Sequence, residues 1–349
     1  MSNYFAVLDA DAASVSAVLA KWQKNNAFSI EGTCSVTSKG IRKGVIVDSV
    51  LATDSIEEVL RELQNRTKKR FKDVFVSVSS PTVDIIPSSG VLLLSKYGRE
   101  ISNKDLRKAV EIASTIKLPL DKEVLHKVVC DYSIDGEEGI KSPLNLEAVK
   151  LGVKIKIVAI SSSLVRNISR CIIGAGFMPA GFVLSSLALS YRFLTVEDKT
   201  DGAALLNISD DLTEAMVFSN NVLSDCMVFS AGSSIFLAGE ALDTRSVEEL
   251  LTNMRALSGW DKVKKVVIVG SGVLIDGLVE FLEKALNMEV IIGTSRHSSS
   301  EKANEGDIKY TGLLGVLDHL QKERRELYSD GNVFQQAINR AVNFFDKYF

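Results

Sequence analysis

One hairpin pattern constrains the fold of this chain more than any other feature, because it occurs twice, about half a chain apart. Near the start, the apolar run Tyr4 to Leu8 meets Asp9-Ala10-Asp11-Ala12, and apolar positions resume from Val15 to Ala20. Apolar runs flanking a short acidic break read as strand, turn, strand. The pattern returns where Ala203 to Ile208 and Ala215 to Phe218 enclose Ser209-Asp210-Asp211-Leu212-Thr213. Helical patterns and further strands follow each hairpin, so the chain reads as two related α/β halves. Its 349 residues exceed one small core and suit such a pair with an insertion.

The intervening segments supply the other elements. Asp54-Ser55-Ile56-Glu57 reads as a helix start, with Asp54 as cap and Glu57 as capping-box acid. Ile56, Val59, Leu60 and Leu63 then share one face. Asp73-Val74-Phe75-Val76-Ser77-Val78-Ser79 reads as a buried strand, and Val36 to Val47 as a polar loop running into a strand. Residues 83–156 read as a separate small α+β unit, with a helix capped by Ser102 and strands over Ile85 to Leu94, Val124 to Ile134 and Gly152 to Ile160. After Gly174-Ala175-Gly176 the pattern is read as an apolar helix through Leu184, Leu187 and Tyr191. Ser246 and Glu249 mark another helix start, and Lys264 to Val269 reads as a buried strand meeting Gly270-Ser271-Gly272. Tyr310 to Glu326 is read as a helix, and His297 to Asp307 as a polar surface loop.

Composition narrows the function classes. A formal net charge of -3 leaves no general excess of Lys and Arg to replace phosphate counterions, so no nucleic-acid partner is expected. No run approaches the roughly 20 apolar residues needed to span a bilayer, and the N-terminus carries no basic stretch before its apolar run, so no secretory signal is expected. Cys34, Cys130, Cys171 and Cys226 stand singly, without a Cys-x-x-Cys pair, and are expected to be reduced thiols. His126, His297 and His319 lie far apart, so no metal set and no catalytic set is assigned.

Several segments, in this order, resemble a known family. They are Gly40-Ile41-Arg42-Lys43-Gly44-Val45-Ile46-Val47-Asp48, the strand Val74 to Ser79, Val124-Leu125-His126, Tyr132-Ser133-Ile134-Asp135-Gly136, Gly139-Ile140-Lys141-Ser142-Pro143, Val165-Arg166-Asn167-Ile168 and Thr311-Gly312-Leu313-Leu314. Together with the twin hairpins they look like the FtsA-like bacterial cell-division proteins of the actin/Hsp70-like ATPase superfamily. The resemblance implies an α/β chain of actin-like ATPase fold, with duplicated ribonuclease H-like subdomains and an FtsA-type 1C (SHS2) insert. On it, residues 1–82, 157–200 and 308–327 correspond to subdomain 1A, 83–156 to 1C, 201–235 and 262–307 to 2A, 236–261 to a vestigial 2B, and 328–349 to a hinge and C-terminal helix.

The departures from that family matter as much as the match. Its phosphate turns carry glycines, whose backbone N–H groups can close around an anion. Here the first turn is Asp9-Ala10-Asp11-Ala12 and the second is Asn207-Ile208-Ser209-Asp210-Asp211-Leu212-Thr213-Glu214, without glycine. Like charges about 4 Å apart repel by about 1 kcal/mol in water and several-fold more when partly desolvated. The resemblance places Asp9, Asp210, Gly270, Ser271 and Gly272 at a degenerate nucleotide cleft. The expectation is a pseudo-ATPase with no ATP or Mg²⁺ held as a working cofactor. Only about 30 residues separate Phe236 from Val266, and this shortened 2B weakens the inference to FtsZ docking.

At about 100° per residue, Phe334, Ala337, Ile338, Ala341, Val342, Phe344, Phe345, Tyr348 and Phe349 fall on one side of a helical wheel. Docking on protein is one reading of that stripe; an interfacial membrane helix is the other, and the resemblance favours it. Phe334, Ile338, Ala341, Phe345 and Phe349 are then the lipid-facing residues. Arg340 and Lys347 stand against Asp346, so apolar insertion rather than charge must supply this segment's affinity. The resemblance thus implies a self-associating cytoplasmic adaptor, peripheral on the inner face of the membrane, that tethers FtsZ or other divisome proteins. The alternatives are an ATP-binding actin-like filament protein and a PilM-like or type II secretion-like scaffold of an envelope machine.

Overall fold

The structure is a computed structural model that describes residues 3–24, 26–239, 241–293 and 310–328. The hinge and C-terminal helix expected over 328–349, with Phe334, Ile338, Ala341, Phe345 and Phe349, and the loop expected over 297–307 lie outside the described residues, Tyr328 excepted. The chain divides into two compact units, one of residues 1–81 with 163–349 and one of Thr82–Ser162.

The first unit holds two five-stranded sheets. In one, Tyr4–Ala10 is central, antiparallel to Ser14–Trp22 and parallel to Asp73–Val78. Met178–Leu184 and Phe28–Thr37 form its edges. Phe5, Val7, Val18, Val183, Leu313, Val316 and Leu317 make the core beneath it, closing the helix Thr311–Tyr328 onto the sheet. In the other, Ala203–Ile208 lies between Thr213–Ser219, antiparallel, and Lys265–Gly270, parallel. Val222–Phe229 and Glu289–Ile292 are its edges. Leu206, Ile208, Phe236, Val247, Leu251, Met254, Val266 and Ile268 form its core. The two acidic hairpins are thus the corresponding strand pairs of two similar sheets.

Four local expectations need correction. The first long helix runs Ser49–Thr67, its cap six residues before Asp54, because Asp48 Oδ1 accepts from the Val50 and Leu51 amides at 3.0 Å each. Asp54 falls inside that helix. Likewise Asp243, not Ser246, caps the helix Thr244–Arg255; Ser246 Oγ donates to Asp243 Oδ2 at 2.7 Å. Residues Met178–Leu184 form a strand, not a helix, and only Ser185–Phe193 is helical. An apolar run buried in a parallel sheet carries no period that separates it from a buried helix. The loop expected from Val36 in fact begins inside the strand Phe28–Thr37 and continues as a small hairpin, Ile41–Arg42 with Val45–Ile46.

The second unit is a four-stranded antiparallel sheet in the order Glu137–Ile140, Lys122–Ile134, Lys150–Ser161, Asp84–Leu93. The helix Asn103–Ala113 packs over it through Ala109 and Ala113, against Leu151, Val153 and Ile155. The boundary expected at 156 falls within the Lys150–Ser161 strand, so this unit runs on to Ser162. Its helix start is pinned by Asp105, whose carboxylate accepts from the Ser102 amide at 2.9 Å, the Ser102 hydroxyl at 2.6 Å and Arg99 at 2.6 and 2.8 Å. The Arg99 guanidinium leads in holding the Asp105 carboxyl well below the usual carboxylate range, followed by the Ser102 hydroxyl and amide, against an opposing effect of burial. Removing an acceptor of several charge-assisted bonds costs about 2 kcal/mol. Asp105→Ala should therefore lower amide protection in Lys150–Ser161, measured by native-state hydrogen exchange on the full chain, with little change in Tyr4–Ala10.

Candidate functional site

The cleft is built where the first strand of each sheet ends in its acidic turn. Asp9 stands next to last in Tyr4–Ala10, in register with Ser16 on one side and Ser77 on the other. The start of the helix Thr311–Tyr328 closes over it. A Cβ on Gly312 would lie 2.9 Å from Asp9 Oδ2, so only glycine lets the helix approach this carboxylate without displacing it. Enclosure raises the Asp9 pKa to about 6; the Ser77 hydroxyl and the Ala10 amide offset part of the rise.

Asp11 is placed less favourably. Desolvation raises its pKa well above the usual value, and the charges of Asp9, Asp211 and Asp210 add to the shift in that order. Its Oδ1 is buried and accepts no hydrogen bond among the described residues. Asp11 is therefore the residue on which the two turns converge, with carboxylates from both hairpins in its field. Asp211 is 9% exposed, and its Oδ1 is likewise buried without a hydrogen bond among the described residues. The other oxygen, Oδ2, accepts from the Lys43 amide. That amide is aimed by two left-handed residues, Lys43 at φ 49° and Gly44 at φ 68°. A side chain at Gly44 would meet the Ser79 carbonyl at 2.0 Å, which fixes glycine there.

Glu214 completes the acidic lining. It lies in the fully buried strand Thr213–Ser219, and burial raises its pKa. Its Oε2 accepts from Asn207 Nδ2 at 2.7 Å and its Oε1 from the Ser186 amide at 3.2 Å. This residue was missed as a site candidate: a lone Glu in an apolar strand gives no sign of which neighbours it will meet.

Both turns also use main-chain donors internally. The Asp11 amide donates to the Ser14 carbonyl at 3.1 Å, and the Ser209 amide to the Leu212 carbonyl at 2.9 Å. Behind the second turn, Ser233 and Ser234 donate their amides to the Ser209 and Asp210 carbonyls at 2.8 and 3.1 Å. Gly270, Ser271 and Gly272 lie at the end of Lys265–Gly270 and begin a short 3-10 turn, Ser271–Leu274. Ser271 Oγ donates to the Ile208 carbonyl at 3.2 Å and lies 3.0 Å from Ser233 Oγ. The expected residues Asp9 and Asp210 thus belong to facing turns joined through the field of Asp11, and the Gly270 to Gly272 turn packs directly behind the second.

Chemically, this is a poor cradle for a polyanion. An anion site needs converging N–H donors and few carboxylates. Here the Asp11, Ser209 and Lys43 amides are engaged by protein acceptors, and carboxylates line the space. Divalent cations are the ligands such a lining tolerates, but among the described residues no group of three carboxylates in it brings one oxygen each within 4.8 Å of the others.

Comparison with known proteins agrees with this architecture. A family model described as the SHS2 domain inserted in FtsA matches residues 82–159. The chain is 30% identical over 216 residues to a cell division protein FtsA of Borreliella burgdorferi, covering 62% of this chain and 52% of that protein. It is 24% identical to the Bacillus subtilis cell division protein FtsA, over 71% of this chain and 58% of that one. The chain therefore spans about half the length of the curated relatives it matches. Among solved structures, a PilM-PilN type IV pilus biogenesis complex superposes with a TM-score of 0.61 at 15% identity, over 90% of this chain and 98% of that one. The ethanolamine utilization protein EutJ of Carboxydothermus hydrogenoformans superposes with a TM-score of 0.50 at 11% identity, over 90% and 89% of the two chains.

Proposed function

Starting from an FtsA-like chain of actin-like fold with an SHS2 insert, we propose that it is a pseudo-ATPase adaptor of cell division, working at the inner face of the membrane. Its task is to hold FtsZ or another divisome protein there, with several copies associating to present several membrane segments. The observation that carries this reading is the cleft: Asp11 and Asp211 stand in the turns where the resemblance expects glycines to grip a triphosphate, beside Asp9, which the resemblance keeps, and Glu214 in the adjoining strands. A lining that repels the nucleotide leaves the fold its shape and its surfaces, which suits scaffolding rather than turnover.

Membrane attachment in this reading comes from the segment beyond Tyr328. Among the described residues no helix is long and apolar enough to cross a membrane. The sequence from Phe334 to Phe349 has the one-sided apolar pattern of an interfacial helix instead. Each Phe or Ile inserted contributes about 1.5–3 kcal/mol, against about 1–2 kcal/mol per residue for ordering the backbone. One such segment is a weak anchor, and several on one assembly bind firmly through effective concentration. The full chain should therefore co-sediment with liposomes and a chain ending before Tyr328 should not; equal pelleting removes the anchor from the account.

A scaffold of another envelope machine is the second reading. It is favoured by the short stretch between Phe236 and Lys265, which among the described residues holds a hairpin of two two-residue strands, the helix Thr244–Arg255 and one 3-10 turn. Pull-down against FtsZ and against pilus or secretion components separates the two.

A further inference from the structure

The acidic cleft lies at one end of the first sheet; the opposite end is basic. Tyr4, Asp73 and Met178 begin the three parallel strands there, and Trp22 ends the antiparallel one. Lys21 and Lys69 both stand over the Tyr4 ring, at 5.4 and 5.6 Å. The segment from Lys68 to Lys72, which joins the Ser49–Thr67 helix to the Asp73–Val78 strand, adds Lys68, Arg70 and Lys72, and the turn after Trp22 adds Lys24. Arg324 stacks over the Trp22 ring at 4.3 Å and donates to Asn26 Oδ1 at 3.4 Å. The acidic residues near this end of the same elements are Asp73, Glu31, Glu323 and Glu326, with Glu58 further back on the Ser49–Thr67 helix, while Glu62 is taken by Arg66 at 2.7 Å. On a chain with a net charge of -3, this is a local reversal of sign.

The last described helix ends at this edge. It starts against Asp9, runs back along Tyr4–Ala10 and reaches Trp22 with Arg324, four residues before Tyr328. The described helix thus ends at Tyr328 near the basic edge, and the amphipathic sequence follows Tyr328 in the chain. That sequence has an apolar side but little positive charge of its own, with Arg340 and Lys347 offset by Asp346. We propose that the basic edge around Lys21, Lys24, Lys68, Lys69, Arg70 and Lys72 is a docking face for anionic lipid headgroups, which supplies the charge that the C-terminal segment lacks.

The physics is additive and short-ranged. Each Lys or Arg brought to an anionic bilayer surface strengthens binding about five-fold, and the effect fades beyond a Debye length of about 8 Å at physiological salt. Charges on the folded unit count only where they reach the lipid surface, and the exit point of the terminal segment brings this edge close to it. Tyr4 and Trp22, with apolar bodies and polar tips, are side chains suited to the headgroup layer. The proposal rests on the membrane reading above and assigns a residue set that this reading does not contain.

The test is co-sedimentation of the full chain with phosphatidylcholine vesicles, with and without about 30% phosphatidylglycerol, at about 0.05 and 0.3 M NaCl. The variant K24Q/K68Q/R70Q/K72Q should bind the phosphatidylglycerol vesicles about 600-fold more weakly than the unaltered chain at low salt. Its binding to phosphatidylcholine alone should not change. Removing equal charge from the insert, with K104Q/R107Q/K108Q/K117Q, should leave both affinities in place. A melting curve matching that of the unaltered chain shows that the first variant folds; if it does not fold, the salt dependence of the unaltered chain carries the test. No phosphatidylglycerol preference in the unaltered chain overturns the proposal, as does equal loss in the two variants or tighter binding to a DNA duplex than to the vesicles. The anchor reading fails separately: a chain ending at Tyr328 that still pellets as strongly refutes the anchor but not the basic edge.

Discussion

Asp9→Asn should stabilise the first unit by about 3 kcal/mol at pH 8 and by almost nothing at pH 4. The carboxyl is raised from 3.8 to about 6 in the folded chain, chiefly by desolvation. Each unit of such a rise corresponds to about 1.4 kcal/mol of preference for the protonated form. The folded state therefore binds a proton that the unfolded state has released between about pH 4 and pH 6, so stability falls as pH rises through that window. Below it, Asp9 is neutral in both states and the substitution removes nothing unfavourable. Above it, the unaltered chain holds a desolvated anion that asparagine replaces with a neutral amide.

Asp11 and Glu214 are shifted in the same direction by burial, and in Asp11 the carboxylates of both turns add to the shift. The unaltered chain should thus gain stability on acidification from pH 8 to pH 5, the reverse of ordinary acid denaturation. The Thr82–Ser162 unit should behave oppositely. Its Asp105 is held below the usual carboxylate range, so that unit keeps its stability across this window and loses it only as pH falls below about 4. Calorimetry on the full chain can separate the trends, because only the transition of the larger unit should move. A shift of about 5 °C accompanies 3 kcal/mol for a unit of that size. A melting temperature independent of pH in both the unaltered chain and Asp9→Asn would remove the buried anion from the account.

The sequence revealed the frame of this cleft but not its electrostatics. Both acidic hairpins were legible because apolar strands on either side of a short polar turn leave a local signature, and Asp9 and Asp210 fall on facing turns. The Ser102 helix start was legible too, since its acid Asp105 lies three residues on. What was misread had a competing local signal. Asp54 looks like a cap in isolation, yet Asp48 reaches the amides first. Residues Met178–Leu184 are apolar at every position although only Pro179, Val183 and Leu184 are fully buried, so no period marks them as a strand. What was missed altogether depends on contacts between distant segments. Gly312 sits against Asp9, the Lys43 amide is spent on Asp211, and Glu214 meets Asn207 and Ser186. None of these pairings leaves a trace in residue spacing.

The central claim is that the ancestral nucleotide site has become an acidic cleft that holds no triphosphate, and its direct test is a calorimetric titration of the full chain with Mg²⁺-ATP at neutral pH. Asp9, Asp210 and Asp211 bring carboxylates from both hairpins to a ligand that is itself a polyanion. Like charges about 4 Å apart at a partly desolvated site oppose binding by about 4 kcal/mol per pair, enough to cancel the whole free energy of a millimolar complex. The account predicts no saturation up to about 1 mM ATP. It also predicts that a D11G/D211G variant, which returns glycine to both turns and removes one carboxylate from each, binds more tightly than the unaltered chain. Saturable binding of the unaltered chain in the micromolar range, weakened by Asp9→Ala, would contradict it.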